Sequence, residues 1–148
     1  MRLPTSTLVV DAAILIAAVR GRSSGAFMQA AHAAAFVTTD RVVHEARRRI
    51  EDGLQRPDLL PVLDELTAEM TVIPVAALMP ILDQSETALR EAVASRNGSV
   101  RDAHVLALAW SVDADIWTTD RDFAGTGIAT WSTPNLMRGL AEATARRS

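Results

Sequence analysis

The sequence predicts a three-layer α/β domain, with a central, mostly parallel sheet between two sets of helices. Two observations predict it. Short apolar runs suited to buried strands alternate with longer stretches of helical periodicity, which implies parallel pairing through right-handed crossovers. Of the 148 residues, 49% are apolar, enough for a sizeable core and too many for a disordered chain. No repeat, linker or low-complexity tract interrupts the pattern, so residues 1–148 read as a single domain.

The first strand is TLVV, Thr7 to Val10, ending at Asp11. Ala12 to Val19 is small and apolar, a helix that the RGRSSG run from Arg20 to Gly25 breaks. An alanine-rich helix is expected over Ala26 to Ala35, and a second strand over Phe36 to Thr38. Thr38 or Thr39 can cap the next helix, Asp40 to Asp52, which carries Val42, Val43, Ala46 and Ile50 on one stripe and closes at Gly53. Pro57 opens a helix with Leu59, Leu60, Leu63 and Leu66 facing inward. In TVIPV, Thr71 to Val75, Pro74 marks a strand at an edge or a strand end.

Helical periodicity returns from Met79 to Ser95, and Asn97-Gly98 makes a turn. Then comes the most informative stretch, Ser99 to Phe123, SVRDAHVLALAWSVDADIWTTDRDF. It reads as a helix and a short strand, with Asp102 in the helix's first turn and Asp120 and Asp122 past the strand's end. A short strand over Ile128 to Trp131 and a helix from Pro134 complete the chain.

Composition narrows the chemistry. Cysteine is absent, which removes disulfides, thiolate metal sites and Cys nucleophiles. All fifteen basic residues are arginine, so Schiff-base chemistry, a P-loop lysine and a lysine base are excluded. The net charge of -3 speaks against nucleic-acid binding by bulk charge. No apolar run reaches the roughly 18 residues that span a bilayer, and Asp11 interrupts the apolar start. No membrane span or signal peptide is therefore expected, and a cytoplasmic location is.

Each acid has a local explanation beside a functional one. Asp11 can cap the helix that follows it, and it also stands where α/β sheets bind ligands, at the carboxyl end of a first strand. Glu45 can pair with Arg41 or Arg49 four residues away. Asp102 can complete a capping box with Ser99. Asp120 and Asp122 lie in TTDRDF, where aspartates are ordinary turn formers. Together they say more. Carboxylates that converge from separate segments repel one another unless a cation neutralises them. Hard ions such as Mg²⁺ or Mn²⁺ prefer such oxygen ligands, and they can acidify a water and stabilise charge on a phosphoryl oxygen.

The residues that gather these acids also carry a resemblance. VVDAAILIAAV, the Glu45 helix, RDAHVLALAW and ADIWTTDRDF, in this order and spacing, resemble a PIN domain. They are most similar to the small single-domain members that include the VapC-like toxin ribonucleases. The resemblance runs from Val9 to Leu136, and DAHVLALAWSVDADIWTTDRDF is its most specific segment. It implies a PIN-like, Rossmann-like three-layer α/β/α fold and a metal-dependent endoribonuclease using Mg²⁺ or Mn²⁺. It also implies RNA as substrate, with in-line attack on a phosphodiester that leaves a 5′-phosphate and a 3′-hydroxyl. Asp11, Glu45, Asp102 and Asp120 match the family's catalytic, metal-holding quartet, and Asp122 matches an auxiliary metal acid. A toxin of this kind would have a cognate antitoxin as partner.

One position departs from the pattern. Such domains usually carry Asn or Ser two residues after the first Asp, where this chain has Ala13, which can donate nothing. Loss of such a supporting partner weakens metal binding by roughly 10- to 100-fold. The alternative function is therefore a catalytically weak PIN-like module that binds RNA or a protein.

Other residues have plainer expectations. His32, His44 and His104 are left outside the site, His104 because it lies on a different helical face from Asp102. Trp110 and Trp117 read as core. Arg47, Arg48 and Arg49 read as a solvated face, or more sharply as a contact for RNA phosphates or an acidic partner. Thr118 and Thr119 at the strand exit could hydrogen-bond a metal water, though β propensity already explains them. The alanine-rich helix near Ala30 and the apolar early segments suggest a homodimer.

Overall fold

A computed structural model describes residues 2–21, 24–93, 103–119, 123 and 126–147, with 90–93 described by backbone alone. Its centre is a five-stranded parallel sheet of β1 (Thr7–Val10), β2 (Ala35–Thr39), β3 (Thr71–Ile73), β4 (Asp115–Trp117) and β5 (Thr130–Trp131) in the order β3-β2-β1-β4-β5. Every neighbouring pair is parallel: Val9 sits opposite Val37 on one side and Ile116 on the other. The chain leaves β1 towards β2 and β3, then returns across the sheet to β4 and β5. The sheet therefore has its switch of direction between β1 and β4.

The helices are α1 (Ala12–Val19), α2 (Ser24–Ala33), α3 (Asp40–Arg48), α4 (Leu60–Ala68), α5 (Met79–Val93), α6 (Ala103–Val112) and α7 (Thr133–Arg147). They cover the sheet as two layers, with α1 against α3 and α4, α2 against α7, and α5 against α6. The three-layer α/β/α expectation holds. Parallel strands covered on both faces read as continuous apolar runs, and Leu8, Val9 and Val10 are fully buried. Phe27, Phe36 and Trp117 pack as an aromatic cluster with centroids 4.9–5.9 Å apart.

Most expected elements are present, with shifted ends. β3 is an edge strand that stops at Pro74, as the proline demands. Gly21, at φ +81°, takes the left-handed conformation just past α1, where its N–H bonds the Ala18 carbonyl. The second helix starts and ends two residues earlier than expected, because Ala35 joins β2: its N–H bonds the Ser6 carbonyl and its Cα pairs with Thr7. The Asp40 helix stays regular only to Arg48 and widens into a π-type turn over Arg49–Gly53, closed by Leu54 N–H on the Arg49 carbonyl. Pro57–Leu59 forms a 3₁₀ turn before α4. Among the described residues, no helix is long and apolar enough to cross a membrane.

Candidate active site

The carboxyl edge of the sheet is where the chain concentrates buried polar groups. Asp11, Thr38, Thr39 and Thr118 each follow or end a central strand, and each is at least nine-tenths buried. Asp11 leaves β1 in an extended conformation and begins α1 as its N-cap, its Oδ1 accepting the Ala12 N–H at 2.7 Å. Its Oδ2 accepts the Thr118 hydroxyl at 2.7 Å. Thr118 follows β4, so this bond crosses the switch point between β1 and β4, the position where open α/β sheets bind ligands. The capping explanation offered for Asp11 therefore holds. The carboxylate caps α1 with one oxygen and faces the switch point with the other.

β2 is fastened to the same edge. The Thr38 hydroxyl donates to the Val10 carbonyl at 2.8 Å, beside Asp11, and Thr39 caps α3 by accepting the Val42 N–H at 3.0 Å. Glu45 follows on α3, half-exposed, with its Oε1 4.0 Å from the Arg49 guanidinium. The ion pair proposed as the local explanation of Glu45 thus exists. Its length and exposure make it weak, so it leaves the acid available to a cation.

Asp102, Asp120 and Asp122 lie outside the described residues, as do Arg101 and Arg121. Among the described residues, no group of three or more His, Asp or Glu is arranged to hold a metal ion. Asp11 and Glu45 carry carboxylate oxygens, the ligand type that a hard divalent ion takes, and the Asp11 carboxylate accepts the Ala12 N–H and the Thr118 hydroxyl. Ala13, in the first turn of α1, is half-buried and presents a methyl group.

The structure adds a residue that sequence reasoning set aside. His104, in the first turn of α6, is 2% exposed, and its Nδ1 lies 2.8 Å from Thr39 Oγ1. Burial, and then the nearby Arg41 charge, lower its pKa from 6.5 to about 4, against an opposing pull from Asp40. The imidazole is neutral at pH 7. The signal was a lone polar residue inside the apolar run VLALA and its neighbours. His32 and His44, by contrast, are exposed.

The remaining expectations divide. Trp117 is fully buried and Trp110 packs at the core's margin, both as expected. Thr118 bonds Asp11 while Thr119 is exposed. Arg47 pairs with Asp64 at 2.8 Å, and Arg48 and Arg49 are exposed. Ala30 is buried inside the chain itself, so its side of α2 is already covered; Met28 on the same helix is 64% exposed. A groove of about 840 Å³ between α2 and α4 includes Phe27, Met28, His32, Leu66 and Glu69. It opens at the amino edge of the sheet, remote from Asp11.

The comparisons with known proteins agree with this architecture. A family model for the PIN domain matches residues 9–141. No curated protein matches the chain. A crystal structure of VapBC2 from Rickettsia felis, bound to a DNA fragment from its promoter, is similar with a TM-score of 0.65 at 13% identity, over 85% of this chain and 98% of that one. PAE2754 from Pyrobaculum aerophilum is similar with a TM-score of 0.60 at 17% identity, over 92% of this chain and 96% of that one. At such identities the two structures speak for the fold alone. The family model covers most of the sequence, and the chain belongs to the PIN domain family.

Proposed function

We propose that this chain is a divalent-metal-dependent endoribonuclease, hydrolysing RNA phosphodiester bonds as the toxin of a type II toxin–antitoxin pair. The observation that carries the proposal is the buried Asp11 carboxylate, held by Ala12 N–H and the Thr118 hydroxyl across the sheet's switch point. Family membership supports nuclease chemistry at that edge. Asp11, Glu45, Asp102 and Asp120 would hold Mg²⁺ or Mn²⁺, with Asp122 as an auxiliary acid. When bound, the ion supplies an acidified water and stabilises charge on a phosphoryl oxygen. The chain's own part is to orient: Thr118 and the start of α1 fix the Asp11 carboxylate, and the capped α3 presents Glu45.

The other elements of the proposal follow. Residues 1–148 act as one domain, in the cytoplasm and as a homodimer. A cognate antitoxin is the protein partner, an idea that the likeness to VapBC2 from Rickettsia felis supports. The test is cleavage of a defined single-stranded RNA with Mg²⁺, with Mn²⁺ and in excess chelator. Metal-dependent cleavage, lost in Asp11→Asn, is the expected result; undiminished activity in chelator sinks the proposal.

Ala13 favours a second reading, a catalytically weak PIN-like module that binds RNA or protein. The half-buried methyl group offers no hydrogen bond beside Asp11. Calorimetric Mn²⁺ titration separates the two: micromolar affinity coupled to turnover removes the weaker module, whereas RNA retention without metal uptake favours it.

A further inference from the structure

Thr39 and His104 form a buried polar pair that core packing does not require. Thr39 is 0% exposed, His104 is 2% exposed, and the hydroxyl oxygen lies 2.8 Å from the imidazole Nδ1. His104 is surrounded in sequence by Ala103, Val105, Leu106 and Ala107, all buried apolar side chains. A leucine there would avoid the cost of burying an imidazole. A polar residue in such a place supplies what apolar contact cannot, a bond with direction.

The direction is informative. The Thr39 hydroxyl that meets His104 also accepts the Val42 N–H at 3.0 Å and so caps α3. Glu45 lies on α3, and α6 packs on β1, the strand that Asp11 follows. One hydroxyl therefore ties the first turn of α3 to the first turn of α6. Its neighbours fasten the same corner on two further sides. Thr38 bonds the Val10 carbonyl beside Asp11, and the Asp40 carboxylate accepts the Val75 N–H at 2.9 Å. Helices packed only through aliphatic side chains can slide by fractions of an ångström, and that slack would be transmitted to Glu45.

We propose that His104 and Thr39 are positioning residues: their bond fixes α3 against α6 and so sets the placement of Glu45 relative to Asp11 on which divalent-metal binding depends. The proposal rests on the metal-site reading above.

The test is Mn²⁺ calorimetry on the full chain, with thermal melts of the metal-free protein, for wild type, Asp11→Asn, His104→Leu, Thr39→Val and Thr39→Ser. His104→Leu keeps the cap and removes the bond between helices. It is expected to weaken Mn²⁺ binding about tenfold or more, the scale of lost supporting partners, while melting no lower than wild type. Thr39→Val is expected to lose a similar factor, and Thr39→Ser to restore most of it. A folded His104→Leu protein with wild-type Mn²⁺ affinity overturns the proposal; if that variant does not fold, equal affinities for Thr39→Val and Thr39→Ser overturn it instead. Should wild type take up no Mn²⁺, or no more than Asp11→Asn, the metal site itself fails and the positioning role falls with it.

Discussion

Asp11 and Asp115 stand at opposite ends of neighbouring strands, and the contrast between them separates two uses of a buried carboxylate. Asp115 opens β4 opposite Leu8, and Asp11 follows the last residue of β1. Both are hidden, at 1% and 7% exposure. Asp115 meets a full charge: the Arg2 guanidinium at 2.7 Å on Oδ1, with Thr5 N–H at 3.2 Å and Trp131 Nε1 at 2.9 Å on Oδ2. Those donors come from the N-terminal segment and from β5, so Asp115 is a clasp that holds peripheral chain onto the sheet. Asp11 accepts the Ala12 N–H and the Thr118 hydroxyl, contacts that fix its carboxylate at the switch point of the sheet. Burial alone does not mark a functional acid. The edge of the sheet that each occupies is what distinguishes the two.

The largest expected effect breaks this comparison if it comes out wrong. Asp11→Asn keeps the shape of the side chain and one acceptor, so the fold should survive with a small loss of stability. Metal-dependent RNA cleavage should fall by about 100-fold or more, since a charged ligand is replaced by a neutral one. Asp115→Asn should do the reverse. It uncouples the Arg2 charge and disturbs two buried donors, costing about 3 kcal/mol, or roughly 6–12 °C in melting temperature for a chain of this size. Mn²⁺ affinity at 25 °C should be unchanged. Were Asp115→Asn to lose metal binding while melting normally, the division between clasp and site would be mistaken.

How much of this was legible beforehand differs between the two edges. The strands were readable because parallel, doubly covered strands are apolar throughout, and TLVV carries that signature without ambiguity. Asp11 was readable because a charge directly after such a run has no packing reason to be there. Asp115 was not. In DADIWTTD it looks like another acid of the turn, and only pairing through space with Arg2, 113 residues away, reveals its partner. The partner of His104 was hidden for a related reason. Helical spacing placed the histidine off the Asp102 face, but spacing says nothing about a threonine 65 residues earlier in the chain. The end of α3 was missed because the π-type turn at Arg49–Gly53 depends on the Leu54–Arg49 backbone bond rather than on residue type.

A smaller effect follows from His104. Its pKa in the folded chain is lowered to about 4 from an ordinary 6.5, first by burial and then by Arg41. Between those values the unfolded chain binds the extra proton and the folded chain does not, so stability rises with pH across that window. The contribution is fully present above about pH 6.5 and is lost as pH falls towards 4, on the order of 3 kcal/mol in all. Other groups titrate in the same range, so the measurement is a difference: urea unfolding of wild type and of His104→Leu from pH 7 to pH 4. Wild type should lose stability more steeply, and parallel curves would mean that the imidazole is not held neutral.

The smallest effects sharpen the contrast through its arginines. Arg2 is 60% exposed, but its partner Asp115 is almost fully buried, so Arg2→Ala leaves a hidden carboxylate with neutral donors only. About 1 kcal/mol should be lost, less than for Asp115→Asn because solvent already screens the guanidinium. Arg49 and Glu45 are both about half-exposed at a 4.0 Å separation, and such pairs contribute roughly 0.3 kcal/mol or nothing. Arg49→Ala should therefore leave the melting temperature where it is. Its value lies in metal binding. Arg49 and a divalent ion would compete for the same Glu45 oxygen, so removing the arginine should leave Mn²⁺ affinity equal or tighter. A loss of affinity in Arg49→Ala would instead mean that the arginine orients Glu45, placing that pair with the orienting contacts around Asp11 rather than with the solvated surface.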